Sequence, residues 1–173
     1  MEGIIYIENF VDESEELFEY LRVNLNWDER MSSRKTASFG LAYNYSQISY
    51  PYQDFPDRFK NIIISIHAEL GFEPNNCLVN YYLDGKSKMG FHSDQTDILD
   101  EGTGVAIVSL GATRVLRFRR IDDKETIKDF ELPSGTLIFM SNEIQKNWQH
   151  AIPKSETENG RMSLTFRKLR VDE

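Results

Sequence analysis

Beyond Cys77 the sequence is cut into short extended stretches, at 77–83, 89–93, 104–110, 114–119, 129–132, 135–140, 148–152 and 161–169. Gly, Pro, Asp and Asn separate them, and these are the residues that stop strands and make turns. That half of the chain is therefore confined to about eight short strands. Ahead of it two segments carry helical periodicity. Leu17, Phe18, Leu21 and Leu25 fall on one stripe, with Asp12 as an expected cap. Phe59, Ile62, Ile63, Ile66 and Leu70 fall on another, opened by Pro56 and stopped by Gly71. Two helices followed by such strands predict helices packed on a double-sheet jelly roll or a small barrel. Residues 28–55 hold several aromatics without clear periodicity and read as a long ordered loop or hairpin, the kind of segment that often serves as a lid. No repeat or linker divides the 173 residues, so one domain is expected.

Composition removes several alternatives. A single cysteine excludes an intramolecular disulfide framework and a multi-cysteine zinc site, and suits a reducing compartment. No apolar run approaches the ~20 residues of a membrane span, and the acidic N-terminus lacks a signal peptide's basic flank, so a cytoplasmic protein is expected. The net charge of −8 is concentrated in residues 1–29, where nine acids face one base, Arg22; the rest of the chain is neutral. Within that neutral part Arg30, Arg34 and Lys35 form one basic cluster, and Arg114, Arg117, Arg119 and Arg120 another. A polyanion would meet these rather than the acidic N-terminal face.

Of three histidines, His67 sits in the Ile-rich helical segment and suits a structural or exposed role. His92 and Asp94 are two apart in an extended run, so they share a strand face. His150 follows Trp148 in another short run. Two imidazoles and a carboxylate occupy one face of an octahedral metal and leave three positions open, the arrangement of non-haem Fe(II) oxygenases; structural zinc prefers four ligands. The run Arg161-Met162-Ser163-Leu164-Thr165-Phe166-Arg167 alternates strictly, placing Arg161, Ser163, Thr165 and Arg167 on one face. At ~3.3 Å per residue the two arginines stand ~20 Å apart, and they meet one ligand only by leaning inward over the two small residues. An inward guanidinium is costly unless it meets an anion such as a carboxylate. Asn80 and Tyr82 share a face of a further run and add an amide and a phenol.

Asn80-Tyr81-Tyr82, His92-Ser93-Asp94, Val108-Ser109-Leu110-Gly111, His150 and Arg161 to Arg167, in that order, resemble the AlkB family of Fe(II)/2-oxoglutarate dioxygenases over about residues 30 to 169. The resemblance implies a mainly β (α+β) double-stranded β-helix, or jelly roll, with two N-terminal supporting helices. It implies oxidative demethylation of alkylated bases such as N1-methyladenine or N3-methylcytosine in DNA or RNA, with Fe(II), 2-oxoglutarate and O₂, releasing formaldehyde, succinate and CO₂. His92, Asp94 and His150 would ligate iron. Arg161, helped by Asn80 and Tyr82, would bind the distal carboxylate of 2-oxoglutarate, with Ser163, Thr165 and Arg167 lining the pocket. Arg34 to Gly40, with Tyr45-Ser46, is similar to the family's nucleotide-recognition lid, where Phe39 or Tyr45 would stack on an extruded base. Arg120 and its neighbours would hold phosphates. Many relatives carry a base-contacting acid where this chain has Thr96. That departure leaves open a second expectation, hydroxylation or demethylation of a small molecule or protein side chain. A monomer is expected in either case.

Overall fold

In a computed structural model, residues 1–45 and 48–171 are described. In chain order the elements are β1 (Ile4–Ile7), α1 (Ser14–Asn24), β2 (Lys35–Gly40), β3 (Tyr43–Tyr45), β4 (Ile48–Tyr50) and, after a 3₁₀ turn at Asp57–Phe59, α2 (Lys60–Leu70). Then follow β5 (Asn76–Tyr82), β6 (Met89–His92), β7 (Gly104–Gly111), β8 (Arg114–Arg120), β9 (Ile127–Leu132), β10 (Leu137–Ser141), α3 (Ile144–Asn147), β11 (Trp148–Ile152) and β12 (Arg161–Arg167). Six strands form one antiparallel sheet in the order β1-β10-β7-β12-β5-β2, and four form a second in the order β6-β11-β8-β9. This is the expected jelly roll with two supporting helices. Among the described residues no helix is long and apolar enough to cross a membrane.

The period-two alternation of the large sheet divides the core. Cys77, Val79 and Tyr81 of β5, Ala106, Val108 and Leu110 of β7, and Met162, Leu164 and Phe166 of β12 pack outward against Leu17, Leu21, Phe59, Ile62, Ile63 and Ile66. Each fully buried aliphatic side chain here contributes roughly 1.5–3 kcal/mol, which is what docks both helices. The other face holds Leu78, Val105 and Ile138 against Leu116, Phe118, Leu132 and Ile152 of the small sheet or its flank. Because the period is two, residues 161, 163, 165 and 167 must point into the space between the sheets. Gly111 closes the β7–β8 turn with φ 87°, and a Cβ there would stand 2.5 Å from the Gly160 carbonyl oxygen beside Arg161. Only glycine fits.

One sequence expectation changes, and two details are added. Asp12 does not cap α1: Glu13 precedes the helix in the left-handed region with no side-chain cap bond. The Ile4–Ile7 segment, for which the sequence predicts no element, is an edge strand on β10. Within 28–55 the hairpin alternative is met, since β3 pairs antiparallel with β4, while β2 ahead of it extends the large sheet beside β5. Gly71, by contrast, ends α2 as expected, with φ 81°.

Candidate functional site

β6 and β11 are neighbours in the small sheet, and their register sets His150 opposite His92 with ring centroids 4.4 Å apart. Asp94, just past the end of β6, stands between them. Its Oδ1 lies 3.3 Å from His92 Nε2 and 3.5 Å from His150 Nε2. One ligand atom from each residue falls within 4.8 Å of the others. His92 Nδ1 stands 2.8 Å from the Gly90 carbonyl oxygen, to which it donates, so Nε2 is the nitrogen that faces Asp94 and that offers a lone pair to a metal once it gives up its proton. Burial pushes the Asp94 carboxyl upward, but the charge of His150, hydrogen bonds with both imidazoles and the charge of Arg167 prevail and hold it well below the usual carboxylate range. For His92, burial works downward, and its hydrogen bonds to Asp94 and Gly90 leave the pKa raised. An ionised carboxylate between two imidazoles is a donor set suited to a divalent cation, with coordination positions left over for ligands.

The large sheet supplies the opposite wall of the same cleft, from Asn80, Tyr82, Arg161, Ser163, Thr165 and Arg167. Arg161 is 1% exposed and donates from Nη2 to Ser109 Oγ at 2.9 Å. Its Nε and Nη1 are buried without a partner among the described residues. Burial pushes its pKa down to about 10, aided by Arg114 and opposed by Tyr82, so the group remains cationic at neutral pH. Arg167 also leaves a buried Nη1 without a partner among the described residues, and its guanidinium lies 5.0 Å from the Tyr43 ring centroid. Two desolvated cations with unused N–H groups, separated by two small polar residues, suit a dianion with a carboxylate at one end. The residues therefore fit both an iron ion and a five-carbon diacid. Between the two walls the cleft is lined by Leu78, Ile107, Leu116, Leu132 and Ile152.

The expected substrate residues scatter. Arg34 is at the cleft, 7% exposed, with Nε donating to Asn80 Oδ1 at 2.8 Å. Phe39 is not a stacking residue: it packs edge-on against Phe59 at 5.6 Å, in the helix-side core, on the opposite face of the sheet from the cleft. Alternation along β2 decides this, since Thr36 and Ser38 take the inward positions. Ser46 and the Tyr45 side chain lie outside the described residues. Thr96 lines a surface hollow with Asp97 and Arg170 rather than the cleft. Arg120 pairs with Asp122 at 2.7 Å and lies over Trp148, at a separate hollow beside Met1 and Ser141. Its basic cluster dissolves as well, because Arg114 is buried on the carbonyls of Asp84, Ser87 and Pro153, and Arg117 pairs with Asp129.

Sequence reading quotes Ser109 in a motif without giving it a role, and misses Tyr43 and Gln145, whose Oε1 accepts from the Asp94 backbone N–H at 2.8 Å. Strand alternation alone places Ser109 inward and was signal enough. The other two act through partners far away in the chain.

Comparison with known proteins places these observations. The profile of the 2OG-Fe(II) oxygenase superfamily matches residues 6–167. Alpha-ketoglutarate-dependent dioxygenase alkB homolog 3 of Rattus norvegicus is 30% identical over 185 residues, covering 94% of this chain and 63% of that protein. DNA oxidative demethylase ALKBH2 of Homo sapiens is 29% identical over 147 residues, covering 79% of this chain and 56% of that protein. The chain thus spans less than two thirds of the length of these relatives. The solved structure of OsALKBH1 superposes with a TM-score of 0.72 at 17% identity, covering 97% of this chain and 99% of that one, which supports the fold.

Proposed function

Because the chain belongs to the 2OG-Fe(II) oxygenase superfamily and is AlkB-like, we propose that it oxidatively demethylates alkylated nucleobases in DNA or RNA. The superfamily's cofactor is Fe(II), with 2-oxoglutarate and O₂ as cosubstrates. Bound iron supplies the oxidative chemistry, coupling decarboxylation of 2-oxoglutarate to succinate and CO₂ with hydroxylation of an alkyl carbon that departs as formaldehyde. His92, Asp94 and His150 hold the iron. Arg161 takes the distal carboxylate through the N–H groups that are buried without partners among the described residues, and Arg167 stands at the metal end. Arg34 binds the Asn80 carbonyl, so the Asn80 amide turns its N–H₂ toward the diacid. Tyr82 stands between the Arg34 and Arg161 guanidinium groups, 6.0 Å and 5.8 Å from them. The apolar lining keeps bulk water from the reacting atoms.

The observation that carries this reading is the union, in one cleft, of the His-Asp-His triad and two guanidinium groups with buried N–H donors that lack partners among the described residues. Nucleic acid as substrate draws on the relatives, one of them named a DNA oxidative demethylase. Incubation with iron, 2-oxoglutarate and methylated oligonucleotides is expected to release formaldehyde. Turnover of 2-oxoglutarate that no methylated oligonucleotide stimulates would refute nucleobase demethylation.

A second reading, oxidation of a small molecule or protein side chain, draws on the dispersal of the basic residues: Arg114 is buried, while Arg117 and Arg120 are paired with acids. Salt separates the two readings. Phosphate contacts make substrate affinity fall steeply with ionic strength, whereas a neutral substrate is indifferent to it.

A further inference from the structure

One buried amide outside the ligand set reaches the metal centre. β6 ends at His92, so the backbone of Asp94 lies beyond the sheet ladder and its N–H needs another acceptor. Gln145 Oε1 provides it at 2.8 Å, from 51 positions along the chain. Gln145 is 6% exposed and lies on α3, which runs directly into the strand that carries His150. Only the oxygen of a carboxamide accepts from a backbone N–H, so the orientation of this amide is fixed, with Nε2 facing Met140 Sδ at 3.8 Å. A second tie runs in parallel, from Ser93 Oγ to the Trp148 carbonyl oxygen at 2.9 Å. Residues 145–150 therefore contribute one imidazole and also clamp the segment that bears the carboxylate.

We infer that Gln145 is a positioning residue for the metal centre. It touches no metal and acts through the Asp94 backbone, setting the carboxylate between the two imidazoles before the ion arrives. The inference rests on the metal-site reading above. Without the clamp, the segment after β6 is held at one point fewer, and the ion must order it on binding, which lowers affinity. Groups standing behind metal ligands in this way typically carry about 10–100-fold in affinity.

The test titrates the full, metal-free chain with Mn(II), and with Co(II) for its absorption spectrum. Gln145→Met keeps the volume and removes the acceptor; Gln145→Glu keeps an acceptor; Ser93→Ala removes the parallel tie at an exposed position that does not threaten folding. The Met variant is expected to bind about 10–100-fold more weakly with an altered Co(II) spectrum. The Glu variant is expected to recover both affinity and spectrum, and Ser93→Ala to lose about 2–10-fold. Wild-type affinity in the Met variant would overturn the inference, as would a Glu variant that regains affinity but keeps the Met variant's spectrum, since charge alone would then explain it. If the Met variant does not fold, the Glu variant decides against the wild type: a matching Co(II) spectrum supports the inference and an altered one overturns it. Absence of metal binding by the wild-type chain overturns the site reading itself and is seen in a separate arm.

Discussion

β12 and β8 are both rich in arginine, and they use it in opposite ways. On β12, Arg161 and Arg167 are buried with N–H groups that meet nothing among the described residues. On β8, Arg114 is equally buried but commits both terminal nitrogens to three backbone carbonyls, leaving only Nε, like that of Arg119, without a partner among the described residues, while Arg117 and Arg120 pair with Asp129 and Asp122. Arginine count therefore says little about anion binding. The informative quantity is how many buried terminal N–H groups the protein leaves for something else. A guanidinium whose terminal nitrogens are both taken up, as in Arg114, is a structural rivet, and one that leaves a terminal N–H buried and unused, as in Arg161 and Arg167, is a socket.

Exchanging the two kinds breaks or sharpens this contrast. Arg161→Met is expected to raise the half-saturating 2-oxoglutarate concentration by at least ~100-fold, the loss of two charge-assisted hydrogen bonds at ~1.5–3 kcal/mol each. Its melting temperature without ligands should not fall, because an uncompensated buried charge has been removed. Succinate release and thermal unfolding measure the two effects. Arg114→Met should do the reverse. Three carbonyls lose their donor, stability drops by about 3 kcal/mol, and the 2-oxoglutarate requirement stays unchanged. Denaturant titration beside the same kinetic assay checks it, and a shift in 2-oxoglutarate dependence would erase the distinction between the strands.

Arg117→Ala should cost under ~1 kcal/mol, since both partners are over a third exposed, at 38% and 41%. Smallest of all is the pH effect of that pair. The hydrogen bond from Arg117 holds the Asp129 carboxyl below its ordinary range. Its small contribution is present above the unfolded value of ~3.9 and vanishes as pH falls through the lowered one. Unfolding of the wild type and Arg117→Ala across acidic pH should converge at the low end.

How much of this was legible in the sequence varied with the kind of interaction. The strands after Cys77 could be read because glycine and polar residues bracket each one, and the strict alternation from Arg161 to Arg167 announced its inward face before any fold was known. β2 escaped notice because its inward residues, Thr36 and Ser38, are polar and small, so Lys35–Gly40 lacks the apolar alternation that marks a strand. Phe39 was misplaced for the same reason: once β2 belongs to the sheet, parity sends the ring to the helices. His92, Asp94 and His150 stood out as residue types suited to a metal. Gln145 did not, since its partner is a backbone N–H, a group every residue but proline carries.

The two walls of the cleft belong to different sheets, with the imidazoles on the four-stranded sheet and the arginines on the six-stranded one. An ion coordinated by one wall and chelated by a diacid gripped by the other would span the gap like a bolt through two plates. Filling the cleft and locking the halves of the sandwich together would then be a single event, so the protein without ligands should breathe along that seam and the loaded one should not.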